Sequence, residues 1–138
     1  MNKIEQRLAA FFKRYIAAFK ANDTDAVCAC YATPCVMSTP EQALVLSEHN
    51  LRETVAGILQ QLQQAGVSQY HISKASYHVK GEQLIAVVDW QFIDAQQQVF
   101  TDFVAIYHIV KDGEQDKIAS VVSHDQANSA HSEHLITL

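Results

Sequence analysis

A chain of 138 residues, 49% hydrophobic and 18% charged, fits one globular domain with its own core, because domains near 150 residues bury roughly 68–70% of their unfolded surface. The formal charge is −5 and the ten Lys and Arg are spread along the chain, so no basic stripe is available for phosphates and nucleic acid is excluded as an expected partner. No window reaches the roughly 18 apolar residues of a membrane span, and the start lacks the apolar run of a secretory leader; a cytoplasmic protein with no membrane partner is the expectation.

Ile4, Leu8, Phe11, Phe12, Tyr15, Ile16 and Phe19 recur at three- and four-residue steps and predict an amphipathic helix from about Lys3 to Ala21. Asn2 with Glu5 three places on fits a capping pair. Asn22-Asp23 breaks that helix, and Asp23 caps a shorter one running through Val27 and Tyr31 and stopping before Pro34. Cys28, Cys30 and Cys35 crowd into this region in neither a zinc nor a disulfide pattern, and read as small core residues in a reducing compartment. Short extended runs at Cys35–Ser38 and Ala43–Leu46 predict a hairpin. Ser47 then caps a third helix carrying Leu51, Val55, Ile58, Leu59 and Leu62, closed by Gly66.

After Gly66 the period changes to two, giving strands at about 69–79, 83–94, 98–110 and 117–125. Gly81-Glu82, the run at 94–97 and Asp112-Gly113 separate them as hairpin turns. Helices followed by an antiparallel meander make an α+β fold. The domain is drawn at 1–127, with 128–138 as a C-terminal tail; His131 and His134 in that tail suit a metal only on a helix, and no metal site or cofactor is expected.

The segment from Phe12-Lys13-Arg14-Tyr15-Ile16 through Ala21-Asn22-Asp23 to Ser38-Thr39-Pro40 resembles ketosteroid isomerase and its SnoaL-like relatives in the nuclear transport factor 2-like superfamily. The resemblance implies a cystatin-like cone, three N-terminal helices packed on a curved antiparallel sheet. Residue by residue, it puts the isomerase's tyrosine on Tyr15, its catalytic base on Thr39 and its second acid on Ala105, so two of the three catalytic roles are empty. The same alignment turns Asp89 and Gln91 into the cone, making Asp89 the candidate general base; a register error of one residue would instead turn Asp89 out and Trp90 in.

On this reading Tyr15 and Asp89 are the catalytic candidates. Tyr15, Asp89, Gln91, Ile93, Tyr107 and Asp125 would line a pocket for a small hydrophobic molecule, with His124 as an alternative to Asp125. The reaction class would be cofactor-independent proton transfer on a hydrophobic carbonyl compound: isomerase, cyclase or dehydratase. The second apolar sheet face, with Trp90, Phe92, Val104 and Ile106, would pack on a second copy as a homodimer. The competing reading is a non-catalytic interaction module whose cone is filled by its own side chains.

Overall fold

The computed structural model describes residues 1–125 and 132–138. Helix α1 (Lys3–Lys20) opens with the expected capping box: the Glu5 amide donates to Asn2 Oδ1 at 2.8 Å and the Asn2 amide to Glu5 Oε1 at 3.3 Å. Its three- and four-residue spacing drives Leu8, Phe11, Phe12, Tyr15 and Ala18 into the core. Asp23 caps α2 (Thr24–Cys28), which is a single turn and a half. Ser47 caps α3 (Glu48–Gln64), whose Leu51, Val55, Leu59 and Leu62 form the buried stripe; Gly66, at φ +73°, takes the left-handed position that follows.

Tyr31 and Pro34 are not helical. They belong to β1 (Tyr31–Ser38), since the residue before a proline is pushed out of the helical region, and the β1 pairing breaks between Tyr31 and Val36, around Pro34. β1 pairs antiparallel with β2 (Ala43–Leu46), as the hairpin reading required, and on its other side runs parallel to β6 (Gln115–His124). The meander β3 (Val67–Lys80), β4 (Gln83–Asp94), β5 (Val99–Asp112) and β6 completes the sheet in the order β2-β1-β6-β5-β4-β3, with one more strand beyond β3. The tail does not simply fray: its end supplies β7 (His134–Ile136), paired antiparallel with β3 and covering that edge, which would otherwise present open hydrogen-bonding groups. His134 therefore lies on a strand, and His131 lies outside the described residues.

Helices α1 and α3 cover one face of the sheet. On β4 that inner face is Leu84, Ala86, Val88, Trp90 and Phe92, and on β5 it is Phe103, Ala105, Tyr107 and Ile109. A bulge in β3 between Ile72 and Lys74 shifts the alternation by one, so that Tyr70 and Ile72 before it and Ala75 and Tyr77 after it all face inward. Trp90 pairs across to Phe103 and Asp89 to Val104, which settles the register. Asp89, Gln91 and Ile93 point to the outer face, the reverse of the expected orientation. The reason is physical: the even-numbered residues of β4 are uniformly apolar, and burying a charged carboxylate among the core rings costs more than leaving it on the other side.

Candidate functional site

Inside the cone, α1, β1, α3 and the concave face of β4–β6 enclose a pocket of about 190 Å³. Eight of its seventeen lining residues are aromatic. Tyr15 lies between Phe12, Trp90 and Tyr107, with ring centroids 6.1–6.3 Å apart. Phe92 packs edge-on against both Tyr70 and Phe103 at 4.8 and 5.2 Å. Val55 and Ile58 of α3 and Val121 of β6 add aliphatic surface, and Ser38, Thr39 and Ser123 bring hydroxyls from the ends of β1 and β6. Among the described residues no Asp, Glu, His, Lys or Arg lines this pocket.

The polar content of the interior is a string of hydroxyls. Trp90 Nε1 donates to Tyr107 Oη at 2.9 Å, Tyr107 is hydrogen-bonded in turn to Tyr15, and Tyr15 Oη lies 2.7 Å from Tyr31 Oη. Each of the three tyrosines is at most 6% exposed. Burial pushes the Tyr15, Tyr31 and Tyr107 hydroxyls well above the usual phenol range, because a phenolate there would lose its water, and neighbouring ionisable groups add to the rise. At neutral pH these groups are neutral hydrogen-bonding partners and not bases.

Of the six site residues expected from the sequence, Tyr15 and Tyr107 line the pocket. Asp89 does not: it is 6% exposed but lies on the outer face, where its backbone carbonyl accepts from Ser73 Oγ at 3.3 Å and Lys74 stands opposite it in the strand register. Gln91 and Ile93 share that outer face, half-buried. Asp125 is exposed beyond the end of β6, where Ser123 takes the inner position and His124 pairs opposite Val104 on the outside. Thr39 does reach the pocket rim, the place the resemblance assigned it.

Tyr31 lines the pocket and meets Tyr15, and the sequence reading does not include it among the ligand contacts. The sequence alone places it at the end of α2 and, with Phe11, Phe12, Phe103 and Tyr107, among the side chains that could fill the cone; as the first residue of a strand it meets Tyr15. The signal was Thr33-Pro34, which makes a helix through Tyr31 toward the proline unfavourable and leaves Tyr31–Ser38 as an extended run.

The cysteines stay free: Cys30 and Cys35 are buried, Cys28 is half-buried, and burial raises the thiol of each above its ordinary range. Among the described residues no group of His, Cys, Asp or Glu is arranged to hold a metal ion, and no helix is long and apolar enough to cross a membrane.

A helix-covered, twisted sheet closing on an aromatic cone defines the cystatin-like, nuclear transport factor 2-like class of fold. Residues 5–126 match the family described as NTF2-like protein (DUF6841), and the chain belongs to that family. Solved structures agree in fold. A cystatin-like protein of unknown function from Nostoc punctiforme superposes with a TM-score of 0.73 at 7% identity, covering 94% of this chain and 96% of its own. An NTF2-like protein with a cystatin-like fold from Novosphingobium aromaticivorans gives 0.71 at 10% identity over 91% and 83% of the two chains. A protein from Streptomyces avermitilis, provisionally described as a dehydratase of the NTF2-like family, gives 0.70 at 11% identity over 88% and 94%. At such identities the likeness is one of fold alone. No curated protein matches the chain in sequence.

Proposed function

We propose that this protein binds a compact, largely apolar small molecule in the concave pocket, in the manner of the SnoaL-like branch and without a cofactor. The observation that carries the reading is the pocket of about 190 Å³ lined largely by aromatic and aliphatic side chains, with a few hydroxyls and no charged side chain among its described lining. Proton-transfer catalysis has less support than binding. Its expected base, Asp89, is on the other face, and the tyrosines inside hold their protons too tightly to serve as bases near neutral pH. The filled-cone alternative has one observation in its favour, the large share of the cone taken by Phe12, Tyr15, Trp90 and Tyr107; against it stands the space that remains.

The single tryptophan lies in the pocket wall, so its emission reports occupancy. Titration with indane, a neutral hydrocarbon of two fused rings, should shift Trp90 emission saturably, with a dissociation constant of about 0.1–1 mM. Val121→Phe, which fills the pocket from β6, should abolish the response while circular dichroism shows a retained fold. Absence of a saturable response in the wild type would favour the filled-cone reading.

Association of two copies through the outer face belongs to the same proposal, in altered form. Trp90 and Phe92 are committed to the pocket, and Val87 and Val104 are already buried within one chain, at 7% and 0% exposure. What this face offers a second copy includes Ile106, half-buried, and Val122, exposed. Sedimentation should show a dimer that Val122→Lys dissociates; a wild-type monomer at tens of micromolar would end this part of the proposal. The reduced cysteines suit a cytoplasmic setting.

A further inference from the structure

The hydroxyl string inside the cone has a direction. An indole N–H can only donate, so Tyr107 Oη accepts from Trp90 at 2.9 Å. The Tyr107 proton is thereby turned toward Tyr15 Oη. Tyr15, accepting from Tyr107, has its own proton free for Tyr31 Oη at 2.7 Å. There the string ends: among the described residues the Tyr31 hydroxyl has no acceptor for its proton, yet it is 6% exposed and lines the pocket. A buried donor without an acceptor is destabilising unless something in the cavity accepts from it, and a donor already polarised by a string of hydrogen bonds behind it donates more strongly.

Two further observations limit what that acceptor belongs to. No Lys, Arg or His among the described residues lines the pocket, so nothing there compensates an anion for its lost water. The pocket holds about 190 Å³, somewhat more than an apolar cavity of about 150 Å³ that accommodates benzene and well below the ~300 Å³ at which drug-sized sites begin. One ring or two fused rings fit within that volume, whereas four fused rings would project beyond it.

Resting on the binding reading above, we propose that the pocket selects an uncharged molecule of one ring or two fused rings carrying a carbonyl acceptor, and that Tyr31 Oη is the group that reads it. Tyr15, the residue that family resemblance would make the ligand contact, acts behind it as the link that orients the Tyr31 hydroxyl.

The test compares 1-indanone with indane, two probes of nearly equal shape that differ by the carbonyl, using calorimetry with Trp90 emission as the marker of the pocket. The wild type should bind the ketone at least tenfold more tightly than the hydrocarbon, and the infrared carbonyl band of bound indanone should move to lower frequency. Tyr31→Phe should erase the preference, bringing the two affinities within about twofold of each other, and should erase the band shift. Equal wild-type affinities for the two probes would overturn the acceptor proposal with the binding reading intact, and that comparison needs no variant to fold. Binding of neither probe would remove the binding reading itself. A four-ring ketone that binds and moves Trp90 emission would overturn the size limit.

Discussion

Asp89 and Trp90 are neighbours in sequence and nearly equal in burial, at 6% and 2% exposure, yet they belong to opposite faces of the sheet. The inner face is a continuous apolar surface around one directed hydroxyl string. The outer face mixes buried aliphatics such as Val87 and Val104 with Asp89, Lys74, Gln91 and His124, and Ser132 packs on it through Ser76 Oγ, at 2.7 Å, and the His78 imidazole. Burial alone therefore does not identify a site in this fold. What matters is whether a buried polar group faces space that a ligand can enter, and the tyrosine hydroxyls of the inner face do.

The contrast is broken most severely at the core. Trp90→Ala should cost about 3–5 kcal/mol in urea unfolding followed by circular dichroism, through lost burial and the cavity left among Phe12, Tyr15 and Phe92. Gln91→Ala, one residue along and half-buried on the other face, should stay within about 0.5 kcal/mol.

High pH should sharpen the comparison. Tyr15, Tyr31 and Tyr107 have folded-state pKa values raised above the unfolded value of about 10. The unfolded chain therefore loses protons first, and their contribution to stability, complete below pH ~10, falls as pH rises beyond it by up to about 1.4 kcal/mol per unit for each tyrosine. By ultraviolet absorbance, three of the five tyrosines should ionise only as the protein unfolds; ionisation of all five in the folded state would contradict the buried string.

Asp89→Asn should leave indane binding within about twofold of wild type while lowering stability by about 1–3 kcal/mol, because a buried carboxylate on the outer face is changed and the pocket is not. Loss of binding with an intact fold would return Asp89 to the site. The smallest effect is expected at the rim, where Thr39→Val should change stability by less than about 0.5 kcal/mol and ligand affinity by no more than a few-fold.

Much of this architecture is legible in the sequence. The α1 capping box, Ser47 and Gly66 bounding α3, and the turns that frame 83–94 are local signals, and local chemistry decides them. Facing is another matter. Along β4 both alternations are rich in apolar residues, so periodicity identifies a strand buried on both sides without telling which side is the core. The wholly apolar set containing Trp90 carried the better clue, and alignment with a distant family inverted it. Tyr15 and Tyr107 were recognisable as interior tyrosines. The directed link between them and Tyr31 was not, because it joins α1, β1 and β5 across long stretches of chain.

On the proposed reading ligands enter on the Trp90 face and not on the Asp89 face. Its most direct measurement is a proton–nitrogen correlation spectrum of the labelled protein titrated with indane, in which the single tryptophan gives a single indole resonance. This resonance and the backbone amides around Tyr15, Tyr31 and Val121 should move saturably together, while the Gln91 side-chain amide stays in place. A stationary Trp90 indole, with saturable shifts confined to Gln91 and its outer-face neighbours, would contradict it.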